Sequence, residues 1–253
     1  MSVLLETRGV SKSYGAFCAL SNVSFSVNEG ELISVVGPNG AGKTTLVNTL
    51  TGLLRPTAGD VLFMGRNIAG VGPVSLTDHG LVRSFQLIQI FPALTVAETI
   101  AAAVISRQSK RWRLFSSLAA DPDIAARVRE VADIFGLGHR LDTTAVALSQ
   151  GEKKLLDVAS AFALDPKVIL LDEPTSGVST ADKHGIMSIL ITAGKKAGVQ
   201  AMVLVEHDMD LVAAYSSRII ALSGGELIAD LPPKEFFADP NLIATVIGQR
   251  RRH

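Results

Sequence analysis

Gly37-Pro38-Asn39-Gly40-Ala41-Gly42-Lys43-Thr44-Thr45 fits G-x-x-x-x-G-K-[ST], the pattern of a loop that wraps the phosphates of a nucleoside triphosphate. The apolar run Leu32–Val36 before it predicts a buried strand, and residues 44–50 after it predict a helix start. That strand–loop–helix context turns a string match into a site. Gly37, Gly40 and Gly42 let the backbone curl so that successive N–H groups point inward as an anion nest. The helix N-terminus adds its partial positive charge. Lys43 reaches toward the β- and γ-phosphates, and the Thr44 hydroxyl offers a ligand for Mg²⁺. By composition such a string arises by accident in on the order of one chain in a hundred.

The bulk properties set the frame. A chain of 253 residues suits one large α/β domain, or a core with a smaller subdomain. Apolar residues at 47% and charged ones at 19% provide for a sizeable core. Lys plus Arg equals Asp plus Glu at 24 each, so no basic excess calls for nucleic acid, and none is expected as a partner. The single cysteine, Cys18, cannot form an internal disulfide, which points to a reducing cytoplasm and a buried structural thiol. Residues 1–6 lack the regions of a signal peptide, and no apolar run approaches the ~18 residues that cross a bilayer. The expectation is a chain that serves a membrane only through a partner.

Along the chain, residues 4–28 read as short alternating strands of an antiparallel sheet, closed by Asn28-Glu29-Gly30. Pro56-Thr57-Ala58-Gly59 reads as a turn, residues 60–64 as a strand, and residues 81–86 as a strand ending at Gln86. From about Thr95 to Leu141 the spacing of Val96, Ile100, Val104, Val128, Val131 and Ile134 predicts an inserted helical subdomain. After it α/β alternation resumes: strands over 168–171, 201–205 and 219–222, and a helix over 180–197. Serial alternation implies a parallel sheet with ligands at the carboxyl ends of its strands.

Two further strings carry chemistry. Val168-Ile169-Leu170-Leu171-Asp172-Glu173-Pro174 is a buried strand ending in two acids, an arrangement that stability alone would not favour. Beside a phosphate loop it assigns Asp172 to Mg²⁺ and Glu173 to activation of the attacking water. Leu148-Ser149-Gln150-Gly151-Glu152 precedes a helical run; Ser149 and Glu152 make a capping box, and a serine and a glycine at a helix N-terminus also make a second phosphate grip.

That last string resembles the signature of ATP-binding cassette (ABC) ATPases, usually Leu-Ser-Gly-Gly-Gln, and it stands between the phosphate loop and the acidic strand as in that family. The resemblance implies an α/β fold: a P-loop NTPase core with an antiparallel β subdomain and an inserted α-helical subdomain. The whole chain 1–253 is then a single ABC ATPase domain, with 1–86 and 160–253 as the catalytic core with its β subdomain, and 87–159 as the helical subdomain bearing the signature. By the same resemblance Tyr14 stacks on adenine, and Gln86 contacts Mg²⁺ with Thr44 and Asp172. His207 senses the γ-phosphate, and ATP is held by residues Gly37, Pro38, Asn39, Gly40, Ala41, Gly42, Lys43, Thr44 and Thr45. Ser149, Gln150 and Gly151 would grip the ATP of a second subunit, while Glu173, His207 and Lys43 form the catalytic set.

Gln150 and Glu152 depart from the family signature, and Ser179 stands where the family often carries an aspartate. A carboxylate facing a γ-phosphate repels it by about 1 kcal/mol at 4 Å in water, so Glu152 is expected to turn back onto its own cap, offset by Lys153 and Lys154. In the family, two copies face head to tail and ATP closes them. The partners implied are a second copy or a paralogous ATPase, integral-membrane permease subunits, and a periplasmic binding protein indirectly, at the cytoplasmic face of the inner membrane. Residues 91–96 would help line the docking groove for the permease, and the basic stretch 107–115 reads as a solvated helix face. Arg83-Ser84-Phe85-Gln86, Glu206-His207-Asp208-Met209-Asp210 and the insertion near Trp112 resemble the ATPases of branched-chain amino acid importers. Importers of urea or short amides share the layout. A soluble non-transport ABC ATPase, or a nucleotide-binding regulator without turnover, belongs to a different class.

Overall fold

Among the described residues sixteen glycines sit at positive φ, which lets the backbone turn sharply at those points. The computed structural model describes residues 2–84, 91–107 and 121–247. In chain order the strands are β1 Val3–Tyr14, β2 Phe17–Asn28, β3 Leu32–Val36, β4 Ala58–Phe63, β5 Arg66–Asn67, β6 Leu81–Arg83, β7 Val168–Asp172, β8 Ala201–Val205, β9 Arg218–Ser223 and β10 Glu226–Leu231. The helices are α1 Lys43–Leu50, α2 Pro73–His79, α3 Val96–Arg107, α4 Pro122–Ile134, α5 Gln150–Phe162, α6 Thr180–Lys196, α7 Met209–Tyr215, α8 Pro233–Phe236 and α9 Pro240–Ile247. They fall into two units. One holds Met1–Leu81, Leu170–Glu173 and Gln200–His253; the other holds Val82–Ile169 and Pro174–Val199.

The first unit contains two sheets. The antiparallel one has the order β2-β1-β4-β5. Its long strands alternate buried and exposed residues, as a half-solvated antiparallel sheet requires, with Leu5, Val10, Leu20, Val23 and Val27 inward. Bulges interrupt the β1–β2 register at several points, which lets two twelve-residue strands stay paired while bending. In the second sheet β3 lies between β8 and β9, parallel to both, and β10 closes the edge antiparallel to β9. The Leu170–Asp172 end of β7 stands beside β8. The strands β3 and β8 are apolar almost throughout because both faces are covered. Val36, Val212, Ile219, Ala221, Phe236 and Val246 build the core at that end of the sheet, with Leu242 and Ile243 of α9 packed against it.

The second unit is mainly helical. Ile100 and Val104 of α3 and Val128 and Val131 of α4 are buried, so the apolar spacing read from the sequence is the core face. Both α3 and α5 begin in a capping box. At α3, Thr95 N–H donates to Glu98 (2.8 Å) and Glu98 N–H donates to the Thr95 hydroxyl (3.1 Å). The strand expected over residues 81–86 is shorter, since β6 ends at Arg83; Gln86 lies outside the described residues.

Phe135 and Phe162 meet edge to face at 5.2 Å between ring centroids, and Phe162 is 2% exposed. Phe162→Ala should therefore destabilise the chain by about 3–5 kcal/mol, the cost of an emptied aromatic site. Urea denaturation checks this; a change below about 1 kcal/mol would show that the pair does not anchor the helical unit.

Candidate functional site

The phosphate loop begins where β3 leaves the core. A Cβ on Gly37 would stand 2.3 Å from the Leu222 carbonyl oxygen, and one on Gly42 would stand 2.6 Å from that of Ala19. Neither position admits any other residue without moving backbone. The loop leads straight into α1, whose N-cap is Gly42 with no capping side chain, so the first amides of the helix are met by no side chain there. Lys43 folds back along the loop, and its ammonium donates to the carbonyls of Gly37 (2.6 Å) and Pro38 (3.1 Å). Burial pushes its pKa below the ordinary lysine value, and the carboxylates of Glu173 and Asp172 pull it back up. Thr44 is exposed at the head of α1.

The acids at the end of β7 sit beside this lysine. Glu173 holds a left-handed backbone (φ 47°), and its N–H donates to the Val205 carbonyl at 3.0 Å. Its carboxylate lies 3.8 Å from Nδ1 of His207, with both side chains about half exposed (45% and 62%). His207 is fixed at its backbone, where its N–H donates to the buried Glu206 carboxylate at 3.2 Å. Gly37, Pro38, Asn39, Lys43, Glu173 and His207 line one open cleft of about 680 Å³. Sequence reasoning missed its remaining walls: Glu206, Met209, and Val246 and Ile247 from the last helix. Tyr14 is half exposed at the end of β1, with the Lys12 ammonium 5.4 Å from its ring centroid.

The signature string belongs to the other unit. Ser149 is the N-cap of α5 and accepts from the Glu152 N–H (3.2 Å), while Glu152 accepts from the Ser149 N–H (2.8 Å). The other oxygen of Glu152 takes Nε of Arg140 at 3.0 Å. Its pKa falls below the ordinary glutamate value, chiefly through the Ser149 backbone bond and then through Ser149's side chain and Arg140. The carboxylate turns back onto its cap as expected, and Arg140 is its ion-pair partner. Ser149, Gln150, Gly151 and Glu152 line a cavity of about 510 Å³ together with Gly177, Ser179 and Asp182. Ser179 donates its hydroxyl to Asp182 at 2.6 Å, so an acid stands near the place where the expected one is missing. Phe91 and Leu94 line a separate cavity of about 230 Å³ with Arg83, Thr99 and Leu164. Among the described residues no helix is long and apolar enough to cross a membrane.

The family profile described as ABC transporter matches residues 20–176. The chain belongs to the ABC transporter family. It is similar to the probable branched-chain amino acid transport ATP-binding protein LivG of Archaeoglobus fulgidus, at 32% identity over 97% of this chain and 95% of that one. It is likewise similar to the high-affinity LivG protein of Salmonella typhimurium, at 31% identity over 97% and 98%. Among solved structures, the ADP conformation of an ATP-binding cassette of an ABC transporter superposes with a TM-score of 0.87 at 30% identity, covering 98% of this chain and all (100%) of that one. A nucleotide-free cassette gives 0.84 at 29%, over 95% and 97%. The expected fold, an ABC ATPase cassette, is the fold observed, and the chain is a nucleotide-binding ABC-type ATPase.

Because the native pKa of Glu152 lies below the unfolded one, its cap contributes stability that is fully present above about pH 4.3. That contribution is lost as pH falls through the lower native value. Denaturation midpoints of wild type and Glu152→Gln should differ at pH 7 and converge at low pH; a gap that stays constant with pH would overturn this.

Proposed function

We propose that this chain is the ATP-binding subunit of an importer for branched-chain or other hydrophobic amino acids. The near-full-length match to branched-chain amino acid transport ATP-binding proteins supports the substrate class. The Glu173–His207 pair, 3.8 Å apart at the mouth of the phosphate-loop cleft, carries the chemistry.

In this reading Gly37 to Thr45 wrap the triphosphate of ATP, Lys43 neutralises its β- and γ-phosphates, and Tyr14 stacks on adenine. Glu173 orients the attacking water and draws on its proton as the oxygen approaches the γ-phosphorus in line. The bond to the bridging oxygen breaks, and ADP and phosphate leave. His207, next to Glu173, contacts the γ-phosphate and reports its presence. The Thr44 hydroxyl, exposed at the head of α1, and the Asp172 carboxylate at the end of β7 are hard oxygen donors suited to Mg²⁺, with Gln86 as a third. The ion, when bound, would neutralise charge on the phosphates.

The signature then serves a second subunit, an identical copy or a paralogous ATPase. Ser149, Gln150 and Gly151 of one copy close on the ATP held by the other, so that ATP joins the pair and hydrolysis releases it. Phe91 and Leu94 contribute to the groove that receives a permease subunit. The chain works at the cytoplasmic face of the membrane, and a periplasmic binding protein delivers substrate to the permease.

Glu173→Gln should lower ATP turnover by about 10²–10⁴-fold while leaving ATP binding in place, whereas Lys43→Ala should lose binding itself. A Glu173→Gln variant that hydrolyses at the wild-type rate removes Glu173 from the mechanism. Co-purification with a multi-span membrane protein supports the transporter reading, and stable association with ribosomes or DNA instead overturns it.

A further inference from the structure

We propose that Phe17 joins Tyr14 in a two-ring platform for the nucleobase of ATP. The proposal rests on the reading of Tyr14 as the adenine-stacking residue and extends it to a side chain of the opposite strand.

Tyr14 and Phe17 are directly paired across the β1–β2 hairpin, with only Gly15 and Ala16 between them. Residues directly opposite in an antiparallel pair project from the same face, with Cβ atoms about 5 Å apart. The two rings therefore stand side by side on one face. Both are open to solvent: Tyr14 is 48% exposed, and Phe17 at 64% is the most exposed large apolar side chain among the described residues. Folding stability does not account for that exposure, since an aromatic ring left in water forgoes its burial.

The position of the pair names its ligand. Two residues along β2 from Phe17, the Ala19 carbonyl oxygen lies 2.6 Å from where a Cβ of Gly42 would be. That contact ties the strand to the phosphate loop. At the rise of an extended strand, Phe17 is about 7 Å from Ala19. The hairpin tip thus stands close to the phosphate loop, within the span of a nucleoside. Lys12 fixes the platform from below: its ammonium donates to the Arg55 carbonyl (2.8 Å) and lies 5.4 Å from the Tyr14 centroid. Phe17 offers no polar group, so its contribution is stacking, which tolerates any base with a π-face.

Titration calorimetry of the full chain with ATP and with inorganic tripolyphosphate tests this. Phe17→Ala should weaken ATP by about 5- to 10-fold, leave tripolyphosphate unchanged, and be rescued by Phe17→Trp. Wild-type ATP affinity in Phe17→Ala, equal weakening of both ligands, or no rescue by Phe17→Trp overturns the proposal. Tyr14→Ala separates the two levels. If it weakens ATP while Phe17→Ala does not, Phe17 alone is excluded; if neither variant does, the adenine site itself is elsewhere.

Discussion

Backbone atoms come too close together at the phosphate loop for anything but glycine, and the nucleotide site depends on that seam. The Leu222 carbonyl abuts Gly37 and the Ala19 carbonyl abuts Gly42. Gly225, in the turn between β9 and β10, would also put a Cβ 2.8 Å from Ala19. Hydrogen bonds stitch the same three segments: Gly225 N–H donates to Ala41 (3.2 Å), and Ser21 N–H donates to Gly225 (2.8 Å). Gly37 and Gly42 thus have two reasons to be glycine. They free the loop's amides for an anion, and they let a strand of the antiparallel sheet and a turn of the parallel one close on the loop. The second reason ties the hairpin that carries Tyr14 to the phosphate loop.

One of the strained residues stands at the reacting end of this arrangement. Glu173 is left-handed although it has a Cβ and precedes Pro174, which biases it toward extended backbone. Such a conformation costs on the order of 1–3 kcal/mol. The Glu173 N–H donates to the Val205 carbonyl, and the chain turns sharply at the end of β7, where Glu173 stands beside His207 and bears on Lys43. The half exposure of both side chains keeps that end of the cleft open to water, the other reactant.

What could be read from the sequence follows the range of the interactions. The phosphate loop, the β7 acids and the capping box at Ser149 are each encoded within nine residues, and the strand and helix periods around them are local as well. The sequence extends β6 past Arg83 because no glycine, proline or asparagine follows Leu81 and Val82 before Gln86 to mark its end. Arg140, twelve residues from Glu152, could not be told from the nearer Lys153 and Lys154 by spacing, since a 3₁₀ turn presents it from a separate segment. The placement of Val246 and Ile247 in the cleft wall, some two hundred residues from Lys43, depends on the docking of α9 onto Phe236 and Val212. Apolar periodicity marks α9 as a packed helix without saying what it packs on.

The departures in the signature weigh less once charges and donors are counted at Ser149. Glu152 is bound on one oxygen by the Ser149 N–H and on the other by Arg140, so its charge is compensated within its own unit. The Ser149 oxygen already accepts from the Glu152 N–H. Its hydroxyl hydrogen, which the Glu152 carboxylate draws on, is the one group the side chain can donate, and it suits a phosphate oxygen and no donor. Arg140 adds a guanidinium beside the same cap. The Gln150 side-chain amide brings N–H donors to a position where glycine would bring none. In the proposed dimer, a carboxylate that would repel the partner's nucleotide instead pins the serine rotamer that grips it, and coupling depends on Arg140 as much as on Glu152.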